Sequence, residues 1–179
     1  MPSMPDLKAA IRTVPDFPKP GVQYRDITTL LANPDALKEA VRQLAEPYRT
    51  AGVDAVAGID ARGFIFGTAV AIELGVGFIP VRKAGKLPFD TLEADYALEY
   101  GTDTLQIHAD CAGEGDTVLL VDDLIATGGT AAAAISLLRQ TGCEVVGAAF
   151  LVDLPDLMGA TRIRSLNVPV TTLVAFEGE

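Results

Sequence analysis

Val118-Leu119-Leu120-Val121-Asp122-Asp123-Leu124-Ile125-Ala126-Thr127-Gly128-Gly129-Thr130 decides how this chain is read. Its apolar, mostly branched start predicts a buried strand, and the abrupt stop at two carboxylates suits the carboxyl end of a parallel strand opening onto a site. A turn of small residues and an alanine-rich run from Ala131 to Leu138 follow, so strand, loop and helix come in that order. A glycine pair between threonines at a helix start offers free backbone N–H groups, two hydroxyls and the positive end of the helix dipole, which together receive a phosphate. The aspartates only accept hydrogen bonds and suit a sugar diol or, through water, a divalent cation. No Lys follows the glycines, which excludes a Walker loop, and the spaced glycines of a dinucleotide fingerprint are missing. A Gly-Gly turn alone is commonly a plain connection. Acids, hydroxyls, glycines and helix start in this order describe a ribose-phosphate cradle.

Upstream, the same theme repeats. Val53 to Ile59 reads as another buried strand ending in Asp60-Ala61-Arg62-Gly63, and Phe64 to Leu74 as a helix apolar on every side, packed in the sheet or at a subunit contact. Arg62 at that strand-to-helix junction makes a second anion site, this time with a guanidinium. Gly77 to Val81 predicts a third strand, followed by Arg82, Lys83 and Lys86, a cluster of cations at the sheet edge where ligands collect.

The remaining segments frame these three junctions. Asp6 to Thr13 predicts a short helix from Leu7, Ala10 and Ile11, and Val22 to Ile27 an extended segment after a proline-rich loop. Within it Tyr24 and Arg25 offer an aromatic face and a planar fork of donors, suited to a flat heterocycle or to covering the core. Asn33-Pro34 caps a scaffold helix with an apolar stripe from Leu37 to Tyr48. Tyr96, Leu98 and Tyr100, a Gly101-Thr102-Asp103 turn, then Leu105 and Ile107 alternate as a β-hairpin, a lid that excludes water from chemistry beneath it. Glu144 to Val152 and Val168 to Phe176 supply two more strands, with a short helix over Pro155 to Thr161. Strands alternating with helices define an α/β class, a mostly parallel central sheet flanked by helices.

Composition narrows the function classes. A length of 179 residues suits a single domain over 1–179, with roughly two-thirds of the unfolded surface buried. Cys111, Cys143 and the single His108 cannot assemble a four-ligand zinc site, and reduced thiols point to a cytoplasmic protein. No signal peptide is evident and no apolar run approaches the ~20 residues of a membrane span. A net charge of −10 argues against nucleic-acid binding while leaving room for a small polyanion held by local cations.

Val-Asp-Asp-Leu-Ile-Ala-Thr-Gly-Gly-Thr over 121–130 resembles the phosphoribosyl-diphosphate loop of the type I phosphoribosyltransferases. Taken with Phe17-Pro18 to Ile27, Gly58 to Gly67, Arg82 to Pro88 and Leu98 to Gly101, the chain resembles the adenine-specific branch of that family over nearly its whole length. The resemblance implies the type I fold, with hood elements over about 1–30 and a lid over about 83–110. It implies a cytosolic homodimer converting adenine and phosphoribosyl diphosphate (PRPP), with Mg²⁺, to AMP and diphosphate. Asp122 and Asp123 would hold the ribose hydroxyls, and Ala126, Thr127, Gly128, Gly129 and Thr130 the 5-phosphate. Asp60, Ala61 and Arg62 would form the diphosphate loop, where relatives often hold a non-proline cis peptide. Arg82, Lys83 and Lys86 would neutralise diphosphate, with Arg82 reaching toward a partner subunit's site. Val22, Tyr24, Arg25 and Ile125 would frame adenine, while Glu99 and Tyr100 close the lid and Glu99 handles the purine proton. Mg²⁺ would arrive with the substrate and water rather than on protein ligands. Ala61 departs from a common serine and removes a hydroxyl, and Tyr24 replaces a frequent Phe with stacking retained. Transfer to another base, such as a 6-oxopurine or orotate, and a non-catalytic nucleotide-binding regulator are the alternatives that share this cradle.

Overall fold

The computed structural model describes residues 3–98 and 100–178. The chain opens with two short strands, β1 (Arg12–Pro15) and β2 (Gln23–Asp26), paired antiparallel as a separate small sheet. Residues 7–10 form a turn rather than the expected helix. Leu7 and Ile11 are buried as their spacing predicts, but Thr13, Val14 and Pro15 favour extended backbone and the segment leaves as a strand.

Helix α1 (Thr28–Leu31) leads to α2 (Pro34–Ala45). The Asn33 side chain accepts from the N–H groups of Asp35 and Ala36, so the predicted cap holds. Next come β3 (Ala55–Ile59), α3 (Arg62–Leu74) and β4 (Gly77–Lys83). The hairpin is β5 (Thr91–Ala97) and β6 (Thr102–His108), with Ala97 opposite Thr102. Its turn therefore precedes Thr102, and Leu98 and Tyr100 are exposed instead of covering a face. Finally β7 (Thr117–Ile125), α4 (Gly129–Gln140), β8 (Glu144–Asp153), α5 (Gly159–Arg164) and β9 (Val170–Ala175) complete the chain.

One seven-stranded sheet runs β5-β6-β4-β3-β7-β8-β9. Strands β4, β3, β7, β8 and β9 are parallel, while β6 joins β4 antiparallel through Arg82 and Lys83 alone. From β3 the chain steps outward to β4 on one side and later to β7 on the other. Right-handed crossovers in opposite directions place their helices on opposite faces of the sheet. Accordingly Phe66 and Val70 of α3 join one core with Leu44 of α2, and Ile135 and Leu138 of α4 join a second core with Ile163 of α5. The crevice between β3 and β7, beyond the carboxyl ends of both, is the switch point at which open α/β sheets bind ligands.

Candidate active site

At that switch point a cavity of about 310 Å³ is lined by Asp60, Ala61 and Arg62 after β3, by Asp122 to Ala131 from β7 and the start of α4, and by Lys83 and Tyr96. Of the three junctions singled out by sequence, those after β3 and β7 thus face one space, and the one after β4 reaches it through Lys83. Strand β7 does not end at the acids; it continues through them to Ile125. Asp123 is only 5% exposed, and Arg62 Nε pairs with its Oδ2 at 2.8 Å, which compensates a carboxylate that could not stay buried alone.

The same guanidinium donates from Nη1 to the Tyr24 hydroxyl at 2.6 Å. Arg62 therefore ties the acidic strand to the small N-terminal sheet. Asp122 sits against the first turn of α3, where a Cβ on Gly63 would stand 2.7 Å from its Oδ1. Glycine is what lets helix backbone and carboxylate approach this closely. Burial first, then the Asp123 charge, pushes the Asp122 carboxyl well above the ordinary carboxylate range.

The phosphate-type loop is built from bare backbone. Gly128, at φ 79°, precedes α4, and no side chain caps that helix, so its first N–H groups and dipole face the cavity. Loop 126–128 rests on the start of α5: a Cβ on Gly159 would lie 2.3 Å from the Ala126 carbonyl oxygen and 2.9 Å from the Gly128 nitrogen. Across the cavity the Tyr96 hydroxyl donates to Asp103 Oδ2 at 3.1 Å, and the same oxygen pairs with Lys83 Nζ at 3.1 Å. The hairpin is thereby fastened beside the loop.

Arg82 and Lys86 converge on a single carboxylate, Asp60 Oδ2, at 3.0 and 3.5 Å. They stand behind the diphosphate-type loop rather than on the cavity lining. Arg82 thus contacts its own chain's Asp60. The Asp60–Ala61 peptide is cis, as the resemblance implied.

Of the residues expected around a base, Ile125 lines the cavity whereas Val22, Tyr24 and Arg25 do not. The Arg25 guanidinium lies 4.3 Å from the Phe176 ring centroid and donates to Thr13 Oγ1 at 2.6 Å, so its fork serves packing here. Tyr100 is 84% exposed, and Glu99 lies outside the described residues. Sequence reading missed Tyr96 and Gly159. Tyr96 alternates correctly for the hairpin face, and that phase could have pointed it inward; nothing local marks Gly159, whose importance comes from a contact distant in sequence.

A switch-point cavity with an adjacent acid pair, one member buried, an uncapped glycine-started helix and a cationic edge is suited to holding a phosphorylated sugar. A model of the phosphoribosyl transferase domain matches residues 26–170, and fold and site together define a type I phosphoribosyltransferase. The adenine phosphoribosyltransferase of Maricaulis maris is 60% identical over 173 residues, covering 97% of this chain and 99% of that protein. The crystal structure of the Rhodothermus marinus adenine phosphoribosyltransferase matches with a TM-score of 0.89 at 52% identity, covering 95% of this chain and 96% of that one. The Saccharomyces cerevisiae enzyme, complexed with an imino-altritol bisphosphate and adenine, matches with a TM-score of 0.88 at 39% identity, over 94% of this chain and 96% of that one. The chain belongs to the adenine phosphoribosyltransferase family.

Proposed function

We propose that the chain transfers the 5-phosphoribosyl group of PRPP to adenine, releasing diphosphate and forming AMP. The observation that carries this reading is the convergence of Asp122, Asp123 and the 126–130 loop on the same cavity as Asp60, Ala61 and Arg62. The loop N–H groups and the hydroxyls of Thr127 and Thr130 take the 5-phosphate, and the acid pair accepts from the ribose hydroxyls. That fixes the anomeric carbon toward the diphosphate loop.

The purine nitrogen forms a bond to that carbon as the bond to diphosphate oxygen breaks, with positive charge developing on the ribose and the imidazole proton of adenine passing to the departing diphosphate. Chain residues contribute positioning and charge compensation: Arg62 and Lys83 at the cavity wall, Arg82 and Lys86 by leaving Asp60 for the departing diphosphate. Adenine sits beside Ile125, with the Tyr24 segment closing over it.

Among the described residues no group of three His, Cys, Asp or Glu side chains could hold a metal ion. Asp60, Asp122 and Asp123 nevertheless line the cavity, and such oxygen donors fit a hydrated Mg²⁺ carried by the diphosphate. When bound, that ion supplies charge neutralisation of the leaving group. Among the described residues no helix is long and apolar enough to cross a membrane. The free thiols of Cys111 and Cys143 support a separate reading, that the reaction takes place in the cytoplasm.

The test is AMP formation from adenine and PRPP with and without Mg²⁺, with hypoxanthine, guanine and orotate as competitors. Magnesium-dependent AMP formation that none of the three suppresses is expected; product from another base and none from adenine would overturn the reading.

A further inference from the structure

We propose that Arg162 is a ligand of the substrate 5-phosphate, supplying the side-chain cation that the loop itself lacks. The inference rests on the functional reading above and adds a residue that the loop motif does not contain. Ala126 to Thr130 bring backbone donors and hydroxyls but no formal positive charge. Asp122 and Asp123 stand just before them, so a phosphate dianion bound there meets acids on one side.

Helix α5 answers this. Gly159 presses its backbone against Ala126 and Gly128, and Arg162, three residues on, lies on the same helix face. Its Nη1 is 3.5 Å from where a Cβ of Gly129 would be, which puts the guanidinium beside the first residue of α4. Arg139, on the same helix as Gly129, is engaged elsewhere and donates to the Leu166 carbonyl. Among the described residues no ion pair or side-chain hydrogen bond occupies the Arg162 guanidinium. An exposed arginine with its fork open at a phosphate-type helix start has the geometry for bidentate recognition of phosphate oxygens.

The measurement compares AMP with adenosine, which differ only in the 5-phosphate, by calorimetry on the full chain and its R162Q and R162K variants. R162Q is expected to weaken AMP and PRPP about tenfold or more, while adenosine and free diphosphate bind within about twofold of the parent. R162K, retaining charge without the fork, falls between. Unchanged AMP affinity in R162Q, or an equal loss for AMP and adenosine, would overturn the assignment, the latter by marking a merely structural effect. A parent protein that binds neither AMP nor PRPP would instead overturn the functional reading, and this inference with it.

Discussion

Burial and the adjacent Asp123 charge both disfavour ionisation of Asp122, so its carboxyl keeps its proton well above the ordinary carboxylate range. A folded-state acid that holds its proton more tightly than the unfolded chain loses stability as pH rises from about 4 through its raised pKa. The group best placed to bind ribose is therefore one the fold alone would rather see neutral. Asp122→Asn keeps an acceptor for the Asp123 N–H, which donates to Oδ1 at 2.8 Å, while removing the charge. It should raise the melting temperature at pH 8 and match the parent near pH 3, where both side chains are neutral. Turnover should fall by roughly 10²-fold or more, because a preorganised carboxyl in the ribose site is replaced by an amide that presents N–H donors on one side. Thermal melts at the two pH values, alongside AMP formation, check both halves; a variant less stable than the parent at pH 8 would refute the electrostatic account.

At the scale of elements, the site depends on contacts between backbones that carry no chemistry. Helix α5 reaches the phosphate loop only because Gly159 has no side chain, with the Ala126 carbonyl 2.3 Å from its missing Cβ. Gly159→Ala must displace backbone, and overpacking of that kind costs about 1–3 kcal/mol. We expect a lower melting temperature and a KM for PRPP raised about tenfold or more, with the KM for adenine changed little. An unaltered KM for PRPP would show that the loop holds its shape without α5.

Legibility divides along the same line. The strand-loop-helix order around Asp122 and the caps at Asn33 and Pro34 were readable, because apolar periodicity and cap chemistry are local. So was the parallel sheet, since strands alternating with helices predict one; the meeting of its junctions in one crevice was not, because strand order is set by contacts distant in sequence. What escaped was set by distant partners. Strand β7 runs on past its acids because Arg62 of another element neutralises Asp123, and two adjacent carboxylates read in isolation look like a strand end. Leu7 and Ile11 were rightly placed inward, yet the backbone between them is a turn, because helical spacing over five residues fits either. Arg25 looked like a base clamp from its neighbour Tyr24, whereas Phe176, at the far end of the chain, claims its guanidinium.

Across the whole molecule, an acidic chain of net charge −10 gathers Arg62, Arg82, Lys83 and Lys86 at one end of its sheet. Each of these cations is paired with Asp60, Asp103 or Asp123, so the patch is close to neutral where the rest of the surface is acidic, and a polyanion meets less repulsion there than elsewhere. The opposite feature is apolar: Ile65 and Ile72, 43% and 75% exposed on α3, are seven residues apart and share a helix face. The homodimer that the resemblance implies would bury this face against its copy. Light scattering should give about twice the 18.8 kDa chain mass for the parent, and a lower mass for Ile72→Asp. A parent that scatters as a single chain would exclude the dimer.

The central claim is that a phosphorylated ribose sits at the β3/β7 switch point, and a crystal of the protein grown with AMP tests it most directly. The ribose hydroxyls should lie within hydrogen-bond distance of Asp122 and Asp123, with the phosphate enclosed by residues 126–130. Nucleotide density with its sugar away from residues 122–130 would contradict the account.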